Sequence, residues 1–157
     1  TRGLDLSVNY RLRTSDFGTF ALITNSTYVN KYDYQSAEGG KWKQNVGVFS
    51  GSGPIFRWQH TASVNWNSGI FSAGMSAHYK SGYLDQDEEN KVPSYTTFDA
   101  FGTVAATKNV TLTAGVRNLF DREPPLSYQT NTFQAGYDPR YADAIGRTVY
   151  VRGSYTF

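Results

Sequence analysis

Seven stretches of this chain alternate apolar and polar side chains residue by residue, and the connections between them alternate between short and long. Successive side chains of an extended strand point to opposite faces, so each stretch reads as a strand with one apolar and one polar face. Residues 3–13 show it most clearly: Leu4, Leu6, Val8, Tyr10 and Leu12 share a face, opposite Asp5, Ser7, Asn9, Arg11 and Arg13. Burying those charges in a dry core would be costly, whereas a hydrated interior removes the cost. The other stretches are 19–34, 57–67, 70–80, 95–107, 110–117 and 147–157. On the last of these Val149, Val151, Tyr155 and Phe157 share the apolar face.

The connections at 14–18, 67–69 and 108–109 are tight, and those at 35–56, 81–93 and 118–145 are long. Consecutive antiparallel strands then carry all the long loops at one end. Transmembrane β-barrels are built this way, with short periplasmic turns and long extracellular loops. A soluble sandwich also alternates along its strands but has no reason to segregate its loops. Composition agrees with strands: 12 Tyr, 10 Phe, 3 Trp and 15 Gly, the aromatic residues favouring sheet. No apolar run approaches the roughly 18–20 residues a membrane helix needs, and mean hydropathy is negative. Both are expected of barrel strands, whose lipid-facing and lumen-facing residues average out. Trp58 and Trp66 lie eight residues apart on one face, roughly 26 Å along a strand. Tilted, that approaches the separation of two aromatic girdles. Trp58, Trp66, Tyr10, Tyr79, Tyr155 and Phe157 are the expected girdle residues.

With no Cys there is no disulfide framework, thiolate metal site or cysteine nucleophile. A net charge of +2 is too near neutral to argue for nucleic acid. His60 and His78 are the two histidines, and no nucleophile elbow accompanies them. Gly51-Ser52-Gly53 reads as loop flexibility. Asp85, Asp87, Glu88 and Glu89 resemble a hard-cation cluster but lack the glycine and length of a calcium loop, so a solvated loop is expected. No metal and no cofactor is expected.

The block Gly115-Val116-Arg117-Asn118-Leu119-Phe120-Asp121, followed by Pro124-Pro125, Gly146-Arg147 and Tyr155-Thr156-Phe157, resembles the end of a TonB-dependent outer-membrane receptor. The family's assembly signal has Gly five residues before the end, whereas Gly153 is four before it. The resemblance implies an all-β fold: an antiparallel transmembrane β-barrel segment of about seven strands from a larger barrel of about 22 strands with a plugged lumen. Residues 1–157 would be the C-terminal part of that barrel, without the plug domain. An odd strand count supports this, because single-chain bacterial barrels have even counts and open edges are untenable in lipid.

The resemblance further implies transport without catalysis. The solute would be a scarce one, ferric siderophores first, taken up with energy passed through the TonB complex. Implied partners are outer-membrane lipid and lipopolysaccharide, the remaining barrel and plug, and the barrel-assembly machinery at the last strand, with the C-terminus periplasmic. Candidate ligand contacts are Arg122, Tyr128, Phe133, Tyr137 and Arg140 in the last long loop, since Arg and aromatics supply charge and stacking. His78 and Lys80 on the lumen face complete the set. Loop packing, or a hydrated wall, is the competing reading for each. Asn118 to Asp121 reads as structural, with Asn and Asp satisfying turn backbone and the proline pair ending the strand. Two other readings remain: a complete small barrel of adhesin or membrane-enzyme type, requiring residues 3–13 to close on the last strand, and a soluble ligand-binding barrel.

Overall fold

The computed structural model describes residues 1–50, 53–133 and 135–157. Thirteen strands occur among them. Seven are long and form one antiparallel sheet, in chain order. The first two are β1 (Arg2–Arg13) and β2 (Thr19–Lys31), joined by a tight turn. The next connection carries four short strands: β3 (Asp33–Gln35), β4 (Trp42–Gln44), β5 (Phe49–Ser50) and β6 (Gly53–Pro54). Then come β7 (Trp58–Ser68) and β8 (Phe71–Lys80), followed by the short pair β9 (Tyr83–Leu84) and β10 (Lys91–Val92). The sheet ends with β11 (Tyr95–Ala105), β12 (Val110–Arg117) and β13 (Thr148–Tyr155). Strands β1 and β13 each have one neighbour in this sheet.

Register confirms the faces. Leu12 pairs with Phe20, Phe20 with Trp66 and Trp66 with Ala73. One level on, Tyr10 pairs with Leu22, Leu22 with Val64, Val64 with Met75 and Met75 with Ala100. This face is apolar and uncovered, with Leu4 70 % exposed and Val151 77 % exposed. The opposite face carries Asn25, Thr61, His78 and Thr97 in one row.

Three expectations need correction. The second strand ends at Lys31, not Tyr34: Asp33 takes Lys31 in an ion pair at 2.9 Å, and residues 33–35 turn aside to pair with β4. Residues 35–56 do not form a structureless loop, because β4, β5 and β6 lie within them; residues 51 and 52 of the Gly51-Ser52-Gly53 reading lie outside the described residues. The proline pair does not end β12. That strand stops at Arg117, where Asn118 enters the left-handed region at φ 49°, well before Pro124.

The buried apolar residues lie off the sheet. Phe49, Phe56, Tyr83 and Val92 cluster, with Tyr141 packed against them. Rings of Phe56 and Tyr83 meet edge-on at 5.8 Å, and those of Phe56 and Tyr141 at 4.9 Å, a favoured aromatic geometry. All three long connections contribute to this cluster, which forms a cap on one rim of the sheet. The short turns sit at the other rim. There Gly18, at φ 83°, lies so close to the Asn67 carbonyl that a Cβ would overlap it.

Candidate functional site

The cap is tied together by Asp85, which is fully buried. Its Oδ1 accepts from Ser127 Oγ at 2.9 Å and from the Gln86 N–H at 2.9 Å. Oδ2 accepts from Asn90 Nδ2 at 3.0 Å and from the Tyr128 N–H at 2.6 Å. The expected solvated acidic loop is thus wrong for Asp85. Its carboxylate is the joint between the second and third long connections. Burial alone would raise its pKa, but hydrogen bonds from Asn90, Tyr128, Gln86 and Ser127 outweigh burial and hold the acid below its usual range. Gln86 adds two bonds across the same seam: Nε2 donates to Thr130 Oγ1 at 3.0 Å, and Oε1 accepts the Thr130 N–H at 2.8 Å. Asp87 remains at the surface, its Oδ1 accepting the Glu89 and Asn90 N–H groups. Burial pushes the neighbouring Tyr83 phenol up to about 12, with Asp85 and Asp138 reinforcing it.

The last connection is held down by Asp138, Arg140 and Lys80. Asp138 is 3 % exposed and accepts the Tyr141 and Ala142 N–H groups through its backbone carbonyl, each at 3.1 Å. Its carboxylate takes Arg140 Nε at 2.9 Å and Nη2 at 2.6 Å. The Arg140 guanidinium lies 5.6 Å from the Phe49 ring and 5.2 Å from that of Tyr141. Lys80, the last residue of β8, donates from Nζ to the Tyr141 carbonyl at 2.7 Å. Its ammonium stands 5.9 Å from the rings of both Phe56 and Tyr141.

Under this turn lies a cavity of about 320 Å³. His78, Thr97, Asp99, Arg117 and Thr148 floor it, and Tyr141, Asp143 and Ile145 roof it. His78 Nε2 is 3.4 Å from Asp99 Oδ2, while Asp99 Oδ1 accepts the Asn118 N–H at 2.9 Å. A second hollow, of about 370 Å³, opens on the other side of the turn between Lys80, Tyr137 and Arg140. The structure therefore brings His78, Lys80, Tyr137 and Arg140 to one turn. Phe133, 94 % exposed, and Tyr128, 55 % exposed, stand apart from these hollows. Arg122 is held through its backbone, its N–H donating to Asn118 Oδ1 at 2.8 Å and its carbonyl accepting from Asn118 Nδ2 at 2.9 Å. That pair is how Asn118 satisfies the turn. Asp121 does the same for the start of the last strand, accepting the Arg147 N–H at 2.7 Å.

The girdle candidates share the uncovered apolar face. Trp58 Nε1 donates to Ser26 Oγ at 2.6 Å, and its ring meets Tyr79 at 5.1 Å. At the opposite rim Trp66 Nε1 donates to the Phe17 carbonyl at 2.6 Å, and the rings of Tyr155 and Phe157 meet at 5.2 Å. Tyr10 is 59 % exposed on the same face. Sequence reading took Asp85 for a solvated loop charge and gave no role at this site to Asp99 or to the Arg117 side chain. One visible signal went unused: Phe101 and Tyr150 are aromatic residues on otherwise polar faces.

Residues 1–119 match the family model described as TonB dependent receptor-like, beta-barrel. No curated protein matches the sequence. Among solved structures, a mutant of the ferric enterobactin receptor PfeA from Pseudomonas aeruginosa is 19 % identical, with a TM-score of 0.66 over 99 % of this chain and 22 % of that one. The siderophore receptor PiuA from Acinetobacter baumannii is 20 % identical, with a TM-score of 0.59 over 96 % of this chain and 21 % of that one. The copper transporter OprC is 18 % identical, with a TM-score of 0.65 over 99 % of this chain and 23 % of that one. The chain thus spans about a fifth of the length of the structures it matches.

Proposed function

The chain belongs to the TonB-dependent receptor β-barrel family, a family of transporters and not enzymes, and from that premise we propose that residues 1–157 are the C-terminal part of the barrel of an outer-membrane receptor for a scarce solute. A ferric siderophore is the first candidate. Of the three similar structures, one is a ferric enterobactin receptor, one a siderophore receptor and one a copper transporter. The observation that carries the reading is the sheet of seven strands, open at β1 and β13, which overlays about a fifth of a receptor chain. A complete small barrel would need β1 to pair with β13, and each has one other neighbour instead.

In this reading the remaining strands, of a total near 22, close the barrel around a plug, and the TonB complex energises uptake through that plug. The long connections face outward and the short turns face the periplasm, so β13 ends on the periplasmic side. Trp58, Trp66, Tyr10, Tyr79, Tyr155 and Phe157 meet the two lipid interfaces. His78, Lys80, Arg122, Tyr128, Phe133, Tyr137 and Arg140 are the proposed solute contacts, their cations and rings suited to an anionic, aromatic-bearing complex. The test is the polypeptide's mass in outer membranes together with growth under iron limitation. A mass several times 17.5 kDa, and growth on a ferric siderophore lost on deletion or without TonB, is expected. A heat-modifiable barrel near 17.5 kDa would sink the proposal, whereas uptake of copper instead of iron would replace the solute.

A further inference from the structure

Two hollows of the cap meet at a single side chain. One is the cavity of about 320 Å³ under the last connection. The other, of about 330 Å³, is bounded by Tyr32, Tyr34, Ser50 and Ile55 of the first long connection. Among the described residues Tyr141 alone lines both. The tip of its ring rests on Gly53, where a Cβ would overlap the hydroxyl oxygen. Glycine thus leaves the notch that lets the ring span from the last connection to the first. The main chain at Tyr141 is fixed without help from the ring. Its N–H donates to the Asp138 carbonyl at 3.1 Å, and its carbonyl accepts from Lys80 Nζ at 2.7 Å. The ring is held by contact alone: it meets Phe56 edge-on at 4.9 Å and the Arg140 guanidinium at 5.2 Å. Its hydroxyl has no hydrogen-bond partner among the described residues. Turning the ring about its Cα–Cβ bond therefore breaks no hydrogen bond, and the hollows on either side give it room to turn.

We propose, on the receptor reading above, that the Tyr141 ring is a gate. Seated on Gly53 it keeps the two hollows apart, and swung aside it joins them into one chamber for a bulky solute. Each hollow alone lies at the small end of the range for ligand pockets, about 300–1,000 Å³, with room for one limb of a large complex. Joined, they move well inside that range. The lining narrows the class of solute. Lys80 and Arg117 bring cations that form no ion pair among the described residues. Asp143 lines the same cavity, and Tyr32 and Tyr34 line the other hollow. The solute that fits carries anionic groups for the cations, a hydroxyl or ammonium for Asp143 and rings for the tyrosines. An ammonium has three donors, so Lys80 can take an anionic limb and still hold the Tyr141 carbonyl. The ring moves while the turn stays pinned.

The experiment uses the full-length receptor in outer membranes, with Ser50→Cys in one hollow and Thr148→Cys in the other. A flexible bis-maleimide is added without solute, and the bridge between the two positions is measured by mass spectrometry of the folded, heat-modifiable band. Rates are normalised to labelling of each cysteine by N-ethylmaleimide. With Tyr141 seated the bridge should form slowly. Tyr141→Ala should speed it several-fold, and so, independently, should Gly53→Ala, whose methyl group unseats the ring. Tyr141→Phe should leave it slow, because the hydroxyl has no bond to lose. Bridging as fast with Tyr141 as without it, or no faster in either alanine variant, overturns the gate. Hydrogen exchange at the Tyr128 amide, which reports the seam at Asp85, should stay slow in the alanine variants. Loss of that protection in both would make the ring a strut of the cap's core, and this too overturns the gate. A denatured band near 17.5 kDa would instead show that the receptor reading had failed.

Discussion

The wall and the cap of this molecule obey opposite burial rules. In the wall the large apolar side chains are outermost: Leu6 is 57 % exposed, Phe71 54 % and Val149 70 %. In the cap they are innermost, with Phe56 at 6 % and Val92 at 3 %. One chain therefore carries solutions for two solvents. The wall's apolar face is complementary to hydrocarbon and its other face to a wet lumen. The cap packs its rings inward around an aromatic core of its own and holds a buried, fully bonded carboxylate, seated on the rim. The boundary between the two regimes falls at the ends of β2, β7, β8, β11, β12 and β13 that carry the long connections.

That contrast can be broken from either side. Phe56→Ala should have the largest effect, about 3–5 kcal/mol as expected for truncating a core phenylalanine, and confined to the cap. Limited proteolysis should then cut within residues 32–57 and 81–94 while the wall strands stay protected. Val64→Arg attacks the other regime, at a cost of about 2–4 kcal/mol for a cation at lipid mid-depth. Its measure is denaturant unfolding in liposomes. The same change one residue away, Ser63→Arg on the lumen face, should cost under about 0.5 kcal/mol, and equal costs would mean the faces are misassigned.

Asp85→Asn comes next. It turns an NH2 group toward donors that now meet a carboxylate oxygen, costing about 1–3 kcal/mol. Faster hydrogen exchange at the Tyr128 amide should report it. The acid is held below its usual range when folded. Its contribution is therefore complete above the ordinary carboxylate range and is lost as pH falls through the lowered folded value. Acid should loosen the seam in the native receptor, and Asp85→Asn should remove that acid sensitivity. Trp66→Phe is milder than these core and lipid-face changes, deleting the bond to the Phe17 carbonyl for about 0.5–1.5 kcal/mol. The expected result is a small loss of thermal stability, with the turn at 14–18 the first amides to exchange faster.

The wall was legible because its code is local. Two-residue alternation from Leu4 to Leu12, or from Phe71 to Tyr79, states which way each side chain points before any partner is known. The tight turns at Gly18 and Gly69 were legible for the same reason, since a positive φ there calls for glycine. The cap was not. Phe49, Phe56, Tyr83, Val92 and Tyr141 come from three connections and have no period in common, so nothing local marks them as one core. Asp85 misled for a related reason. Among Asp87, Glu88 and Glu89 it reads as one more solvated charge, and only Ser127 and Tyr128, far along the chain, make it different. Tyr32 and Tyr34 continued an alternating pattern past the point where Asp33 and β4 turn the chain away. Of the candidate solute contacts, the sequence grouped Tyr137 and Arg140 by proximity alone. Their meeting with Lys80 depends on how the last connection folds back.

The bond from Lys80 to the Tyr141 carbonyl has a mechanical meaning. The last connection leaves the sheet at β12 and returns at β13, yet it is pinned at β8, inboard of both. A pull on that connection is therefore shared with an interior strand and does not fall wholly on the two nearest the sheet's margin. The pin shortens the lever arm by which a force on that connection can pry the wall open.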